Sequence, residues 1–151
     1  RDADWARVML KRMKKGGVWP SAAGGRLDSF YLAGLLDKEE RELFWENMLS
    51  RDTLPDLLQD IRARQEMEYH MSPALADKAL QALKSRLSSA THRDYMLSSV
   101  IDELAMILPA ESLDNARQAV VDLPVDSPNR EISDRFSAVV LQRRTLHSCF
   151  S

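Results

Sequence analysis

The stretch Leu49–Arg64 reads Leu-Ser-Arg-Asp-Thr-Leu-Pro-Asp-Leu-Leu-Gln-Asp-Ile-Arg-Ala-Arg and carries the pattern of a helix start. Asp52 is a suitable N-cap because its carboxylate can accept hydrogen bonds from the free backbone amides of the first turn. Pro55 falls in that turn, where its missing N–H costs nothing. Four apolar residues follow at helical spacing and share one face: Leu54, Leu57, Leu58 and Ile61. The stretch predicts an amphipathic helix from Asp52 to about residue 71.

Similar helix-start signals recur along most of the chain. They predict helices at about residues 3–15, 29–36, 37–49 and 111–122, and others after further N-caps. These caps are Ser72 before Pro73, Thr91 and Asp94 before the apolar stripe 97–108, and Ser127 before Pro128. Asp37 and Glu40 form a capping-box pattern. Helix is therefore the dominant local preference.

The pattern as a whole predicts an all-α fold, because no segment alternates apolar and polar residues between turn signals. Short connections favour an antiparallel four-helix-type bundle with additional short helices and a Gly/Pro-containing N-terminal segment. We expect residues 1–27 to form a basic helix and loop, and residues 28–151 to form the bundle domain. The predicted core includes nine apolar residues: Leu58, Ile61, Leu80, Leu83, Leu97, Ile101, Leu104, Val139 and Val140.

Charge is unevenly distributed. The chain has a net charge of −2, but residues 1–26 carry seven basic and two acidic residues. The densest basic run contains Lys11, Arg12, Lys14 and Lys15. It is either a solvated helix face or an electrostatic contact for an acidic partner. The acidic remainder of the chain argues against nucleic acid as that partner.

The loop that follows the basic run, residues 16–26, contains the apolar pair Val18 and Trp19. An apolar anchor beside a charged rim is a common arrangement at interfaces, and the alternative is that Trp19 packs on the bundle. Arg62 and Arg64 lie on a polar face and either pair with nearby acidic residues or bind a partner. We expect partner binding to depend on the N-terminal segment more than on any cleft.

The residues that usually carry chemistry form no recognisable site. His70, His92 and His147 are far apart in sequence, and the single Cys149 can form no internal disulfide. There is no P-loop and no Gly-x-Ser-x-Gly turn. We therefore expect neither catalysis nor a metal or other cofactor. Apolar runs are also shorter than the ~20 residues that a membrane span requires.

Residues 50–64 also resemble a known family. In the PsbQ-type extrinsic subunits of photosystem II, the second helix opens with Ser-Lys-Asp-Ala-Trp-Pro and continues through Asn-Asp-Leu-Arg-Leu-Arg. Leu54 stands where that family has Trp, and the chain matches it at Ser50, Arg51 (for Lys), Asp52, Pro55, Asp60, Ile61 (for Leu), Arg62 and Arg64. Residues 78–83, Lys-Ala-Leu-Gln-Ala-Leu, resemble the family's Lys-Ala/Ser-Leu-Gln-x-Leu.

The resemblance implies a non-catalytic protein of the chloroplast thylakoid lumen, peripheral to the membrane. Such a protein docks on the photosystem II core and neighbouring extrinsic subunits and stabilises the oxygen-evolving complex. The alternative is a helical regulatory adaptor, because residues 28–64 resemble, more loosely, the N-terminal helices of anti-sigma domains. Those domains usually carry zinc-binding His and Cys residues there, and this segment has none.

Overall fold

The fold is all-α over the residues that the computed structural model describes, namely 4, 5, 7, 8, 11, 37–64, 70–120 and 123–150. Of Met48, Ala63, Arg64 and Phe150 only the backbone is described. Residues 4, 5, 7, 8 and 11 are helical, as the predicted 3–15 helix requires. Six further α-helices and one 3-10 turn, Ala110–Ser112, lie in these ranges, and no β-strand does. The helices are α1 (Lys38–Met48), α2 (Leu54–Arg64), α3 (Pro73–Ser89), α4 (Tyr95–Ile107), α5 (Leu113–Ala119) and α6 (Arg130–Phe150). The predicted fold class is confirmed, and the four-helix antiparallel arrangement stays a prediction.

The chain divides into two compact units, Arg1–Met48 and Leu49–Ser151. The predicted domain boundary after residue 27 and the predicted helix 29–36 lie outside the described residues. In the first unit, the capping box at the start of α1 is confirmed. The Asp37 carboxylate accepts from the amide of Glu40 at 2.9 Å, and the Glu40 carboxylate accepts from the amide of Asp37 at 3.4 Å. Arg7 donates through Nε to both carboxylate oxygens of Glu40 at 3.2 Å.

In the second unit, α4 is the most apolar helix and packs against both α2 and α6, while α5 packs against α3 and α6. Eight of the nine predicted core residues are buried. Val139 is only partly buried, so its assignment to the core was wrong. The inward stripe of α6 runs through Ile132, Phe136 and Val140, and Val139 lies on the flank of that stripe.

Two of the predicted helix starts differ from the structure. Helix α2 begins at Leu54, and the carbonyl of Thr53 accepts the first helical hydrogen bond, from Leu57 at 3.0 Å. The N-cap is therefore Thr53 and not Asp52. Likewise α6 begins at Arg130, two residues later than a Ser127 cap requires, and the carbonyl of Asn129 accepts from Ser133 at 3.1 Å.

The caps at Ser72 and Asp94 are confirmed. Ser72 accepts from the amide of Leu75 at 3.3 Å, and Asp94 accepts from the amide of Leu97 at 3.0 Å. The predicted extension of the 52–71 helix to residue 71 is wrong, because His70 and Met71 are not helical. The Met71 amide instead donates to the carbonyl of Ile107 at 2.9 Å, which ties the start of α3 to the end of α4.

Candidate interaction surface

The structure describes three of the eight predicted partner-binding residues. Lys11 is helical and exposed, and Arg64 is the last residue of α2. Arg62 is exposed on α2 and donates through Nη1 to the carbonyl of Ser99 on α4 at 3.5 Å. The other five lie outside the described residues: Arg12, Lys14, Lys15, Val18 and Trp19. The N-terminal surface therefore stays a prediction.

The most extensive polar network surrounds Asp94 at the start of α4. Arg86 of α3 forms a two-pronged ion pair with the Asp94 carboxylate, and its Nη2 donates to Oδ1 at 3.0 Å. The Nη1 of Arg86 also donates to the carbonyl of Arg51 at 3.1 Å. The Asp94 amide donates to Oδ1 of the fully buried Asn129 at 2.9 Å. Asp94 and Arg86 together thus join the ends of α3 and α4, the residue before α6 and the turn before α2.

This network is built to hold the helices together. Burial raises the pKa of Asp94, but the hydrogen bonds from Arg86 and Leu97, together with the charge of Arg86, lower the pKa more, so it lies below its ordinary value. A carboxylate held ionised by an arginine and a helix N-terminus is a poor general base near neutral pH. The described residues also contain no group of three His, Cys, Asp or Glu that could hold a metal ion.

One candidate surface for a ligand is a cleft of about 340 Å³ between α5 and α6. We call it the α5–α6 cleft. Its floor is formed by the buried Val120, Ser133 and Val140. Its sides and rim are polar or exposed and consist of Arg117, Arg130, Asp134, Ser137, Leu141 and Arg144. The cleft therefore combines two buried valines and a buried serine with three arginines and one carboxylate.

Two of the three cleft arginines are paired at the surface. Arg130 contacts Asp134 at 3.1 Å and donates to the carbonyl of Leu123 at 2.7 Å. Arg144 contacts Asp114 at 2.8 Å, and the Asp114 side chain is 80% exposed. Such exposed ion pairs contribute only about 0–1 kcal/mol and can exchange partners at little cost. Arg117 is exposed and has no ion-pair partner among the residues that the structure describes.

Sequence inspection missed this cleft because its arginines are 13 or more residues apart and lie on two helices. One signal of the cleft, the spacing of its residues on α6, is visible in the sequence. Arg130, Asp134, Ser137, Leu141 and Arg144 recur at spacings of three or four, which places them on one stripe of α6. Only the packing of α5 beside this stripe adds Arg117 and closes the cleft.

Other exposed features are less specific. A second groove of about 380 Å³, between α3 and α5, is lined by the apolar Leu80 and Ala119, by three neutral polar side chains, and by one Asp and one Lys. No helix within the described ranges is long and apolar enough to cross a membrane.

The chain is all-helical in the ordered elements of the part that the structure describes. It is a member of the family of unknown function DUF5691, whose model matches residues 1–150. No curated protein and no solved structure matches the chain.

Proposed function

We propose that this protein is a non-catalytic helical module that binds another protein. The observation that carries the proposal is the α5–α6 cleft, where the exposed Arg117 and Leu141 lie beside the buried Val120 and Val140. Arginine beside apolar surface is the combination enriched at protein interfaces. The Asp94 network, in contrast, is occupied by contacts between helices.

Affinity capture with matched charge variants tests this proposal. Arg117→Glu reverses an exposed charge in the cleft, while Lys84→Glu makes the same change of sign at an exposed position of α3 that does not line the cleft. A partner recovered with the wild type and with Lys84→Glu, but depleted with Arg117→Glu, supports the proposal. Equal recovery with all three proteins contradicts it, provided that their melting temperatures agree.

The narrower form of the proposal is a lumenal subunit of photosystem II. Its support is the sequence resemblance across Ser50–Leu83, and the regulatory-adaptor alternative rests on the looser resemblance of residues 28–64. Both are binding proteins without chemistry of their own, so both are forms of the same proposal. They differ in the partner, which binding to photosystem II membranes decides.

A further inference from the structure

We infer that the α5–α6 cleft takes an acidic, extended or helical peptide segment of a protein partner, with carboxylates on its arginines and an apolar side chain against Leu141. This inference rests on the proposed function and specifies the chemistry of the partner. Its basis is the charge, the length and the pairing state of the cleft.

The charge of the cleft is opposite to that of its surroundings. Residues 49–151 carry twelve basic and fifteen acidic residues, yet the cleft is lined by three arginines and a single aspartate. Guanidinium groups recognise carboxylates through paired, charge-assisted hydrogen bonds. Repulsion from the acidic remainder of this unit disfavours a long polyphosphate such as nucleic acid more than a short acidic peptide.

The length of the cleft suits a peptide rather than a compact small molecule. Arg130 and Arg144 are fourteen residues apart on α6, which separates their Cα atoms by about 21 Å at about 1.5 Å per residue. Leu141 is 57% exposed between them. A segment lying along α6 can therefore reach both arginines while covering Leu141, which buries apolar area that water now contacts.

The ion pairs that the cleft arginines make within the chain can be replaced by pairs with carboxylates of a partner. Arg144 is held by a carboxylate on the exposed Asp114, and Arg130 by the exposed Asp134. Displacing these side chains costs little, because surface ion pairs are weak. Arg117 faces the cleft from α5 and has no carboxylate to displace among the described residues. Binding of a partner's carboxylate should therefore depend more on the charge of Arg117 than on the charges of Arg130 and Arg144.

The experiment uses the full chain and a fluorescein-labelled 16-residue peptide of repeated EELA sequence, with QQLA and KKLA peptides as controls. We expect EELA to bind, and Arg117→Glu to weaken its affinity about tenfold or more through lost charge-assisted bonds and added repulsion. Lys84→Glu should change the affinity less than about twofold, as expected for a charge outside the contact. Amide chemical shifts of the wild type should change along residues 117 and 130–144.

Several outcomes overturn the inference. One is equal binding of EELA and QQLA, and another is shift changes confined to residues outside the cleft. A third is tighter binding of a 16-nucleotide single-stranded DNA than of EELA. If Arg117→Glu unfolds, Arg117→Gln and the wild-type shift map decide instead. If EELA fails to bind while a captured partner still depends on Arg117, the acidic chemistry is wrong and the proposed function survives. If EELA fails to bind and partner capture does not depend on Arg117 either, both the inference and the proposed function are wrong.

Discussion

Asp94 shows how a single residue connects several levels of this structure. Its carboxylate caps α4 and pairs with Arg86, and its amide donates to Asn129. The cap was predictable, because Asp followed by an apolar helical stripe is a local pattern. The ion pair spans eight residues and the contact with Asn129 spans 35, so neither follows from local sequence.

We expect Asp94→Ala to lower the free energy of unfolding by about 2–4 kcal/mol, because it removes the cap and leaves a partly buried arginine without its main partner. Urea unfolding followed by circular dichroism measures this change. Asp134→Ala is the control, since it removes only an exposed i,i+4 pair with Arg130 and should cost less than about 0.5 kcal/mol. Equal effects of the two substitutions would show that the Asp94 network is not a stabilising centre.

The same network predicts a pH dependence. The pKa of Asp94 is lowered in the folded protein relative to its ordinary value of 3.8. Its stabilising contribution is therefore complete above that ordinary value and is lost as pH falls through the lower, folded pKa. The stability difference between wild type and Asp94→Ala should be constant from pH 7 to pH 5 and shrink below about pH 4. A difference that grows on acidification would reverse the assigned sign.

At the level of helices, the sequence located the start of α3 at Ser72, and it named Asp94 together with Thr91 for the start of α4, where the structure has Asp94 as the cap. It placed the starts of α2 and α6 one or two residues early, where several candidates are clustered. Ser50, Asp52 and Thr53 all have capping side chains, and the hydroxyl of Thr53 accepts from the amide of Ser50 at 2.6 Å. At the start of α6, tertiary contacts favour Asn129 as the N-cap. Its side-chain amide accepts from the backbone amide of Asp94 and donates to the carbonyl of His92.

Asn129→Ala should therefore destabilise the protein by about 1–3 kcal/mol, because the amide of Asp94 and the carbonyl of His92 lose a buried partner. Ser127→Ala should lower the stability less, since the Ser127 hydroxyl accepts only a local hydrogen bond of 3.3 Å from the backbone amide of Asn129. Thermal melts of both variants compare the two costs. A larger loss for Ser127→Ala would restore Ser127 as the residue that fixes the start of α6.

The apolar stripe of α4 gives a prediction about packing. Leu104 is fully buried between the helices that flank α4, so Leu104→Ala should cost about 2–5 kcal/mol through lost burial and the cavity left behind. Met106 lies on the same helix and is 57% exposed. Met106→Ala should therefore change stability by less than about 0.5 kcal/mol. Chemical denaturation of both variants checks the assignment of the two faces.

At the scale of the whole molecule, periodicity predicted the fold class and most of the core, because burial of one helix face imposes a repeat that is visible in sequence. The candidate site was beyond this reach, since the cleft arises where α5 meets α6 and includes Arg117 only through that packing. The resemblance to the PsbQ-type subunits falls largely on a helix start and on buried residues such as Ile61, Leu80 and Leu83. Those positions determine packing more directly than partner choice.

The photosystem II form of the proposal predicts saturable binding to photosystem II membranes from which the extrinsic subunits have been removed. Cosedimentation of the purified chain with such membranes measures this binding, and membranes that retain their extrinsic subunits are the control, because their docking surfaces are covered. Equal cosedimentation with both preparations, or none with either, would exclude the lumenal role. The general binding module and the adaptor alternative would stand.

The two candidate surfaces should affect binding kinetics differently. Lys11, Arg12, Lys14 and Lys15 form a dense positive run, which attracts an acidic partner over distances limited by the Debye length, about 8 Å at 0.15 M salt. Replacing all four by Gln should lower the association rate and remove most of its salt dependence, with a nearly unchanged melting temperature. Arg117→Glu acts on a short-range contact and should mainly raise the dissociation rate. Surface plasmon resonance on the captured partner separates the two effects. Normal salt dependence in the Gln variant would show that the N-terminal segment is not an interface, and an unfolded Gln variant would show that it is structural.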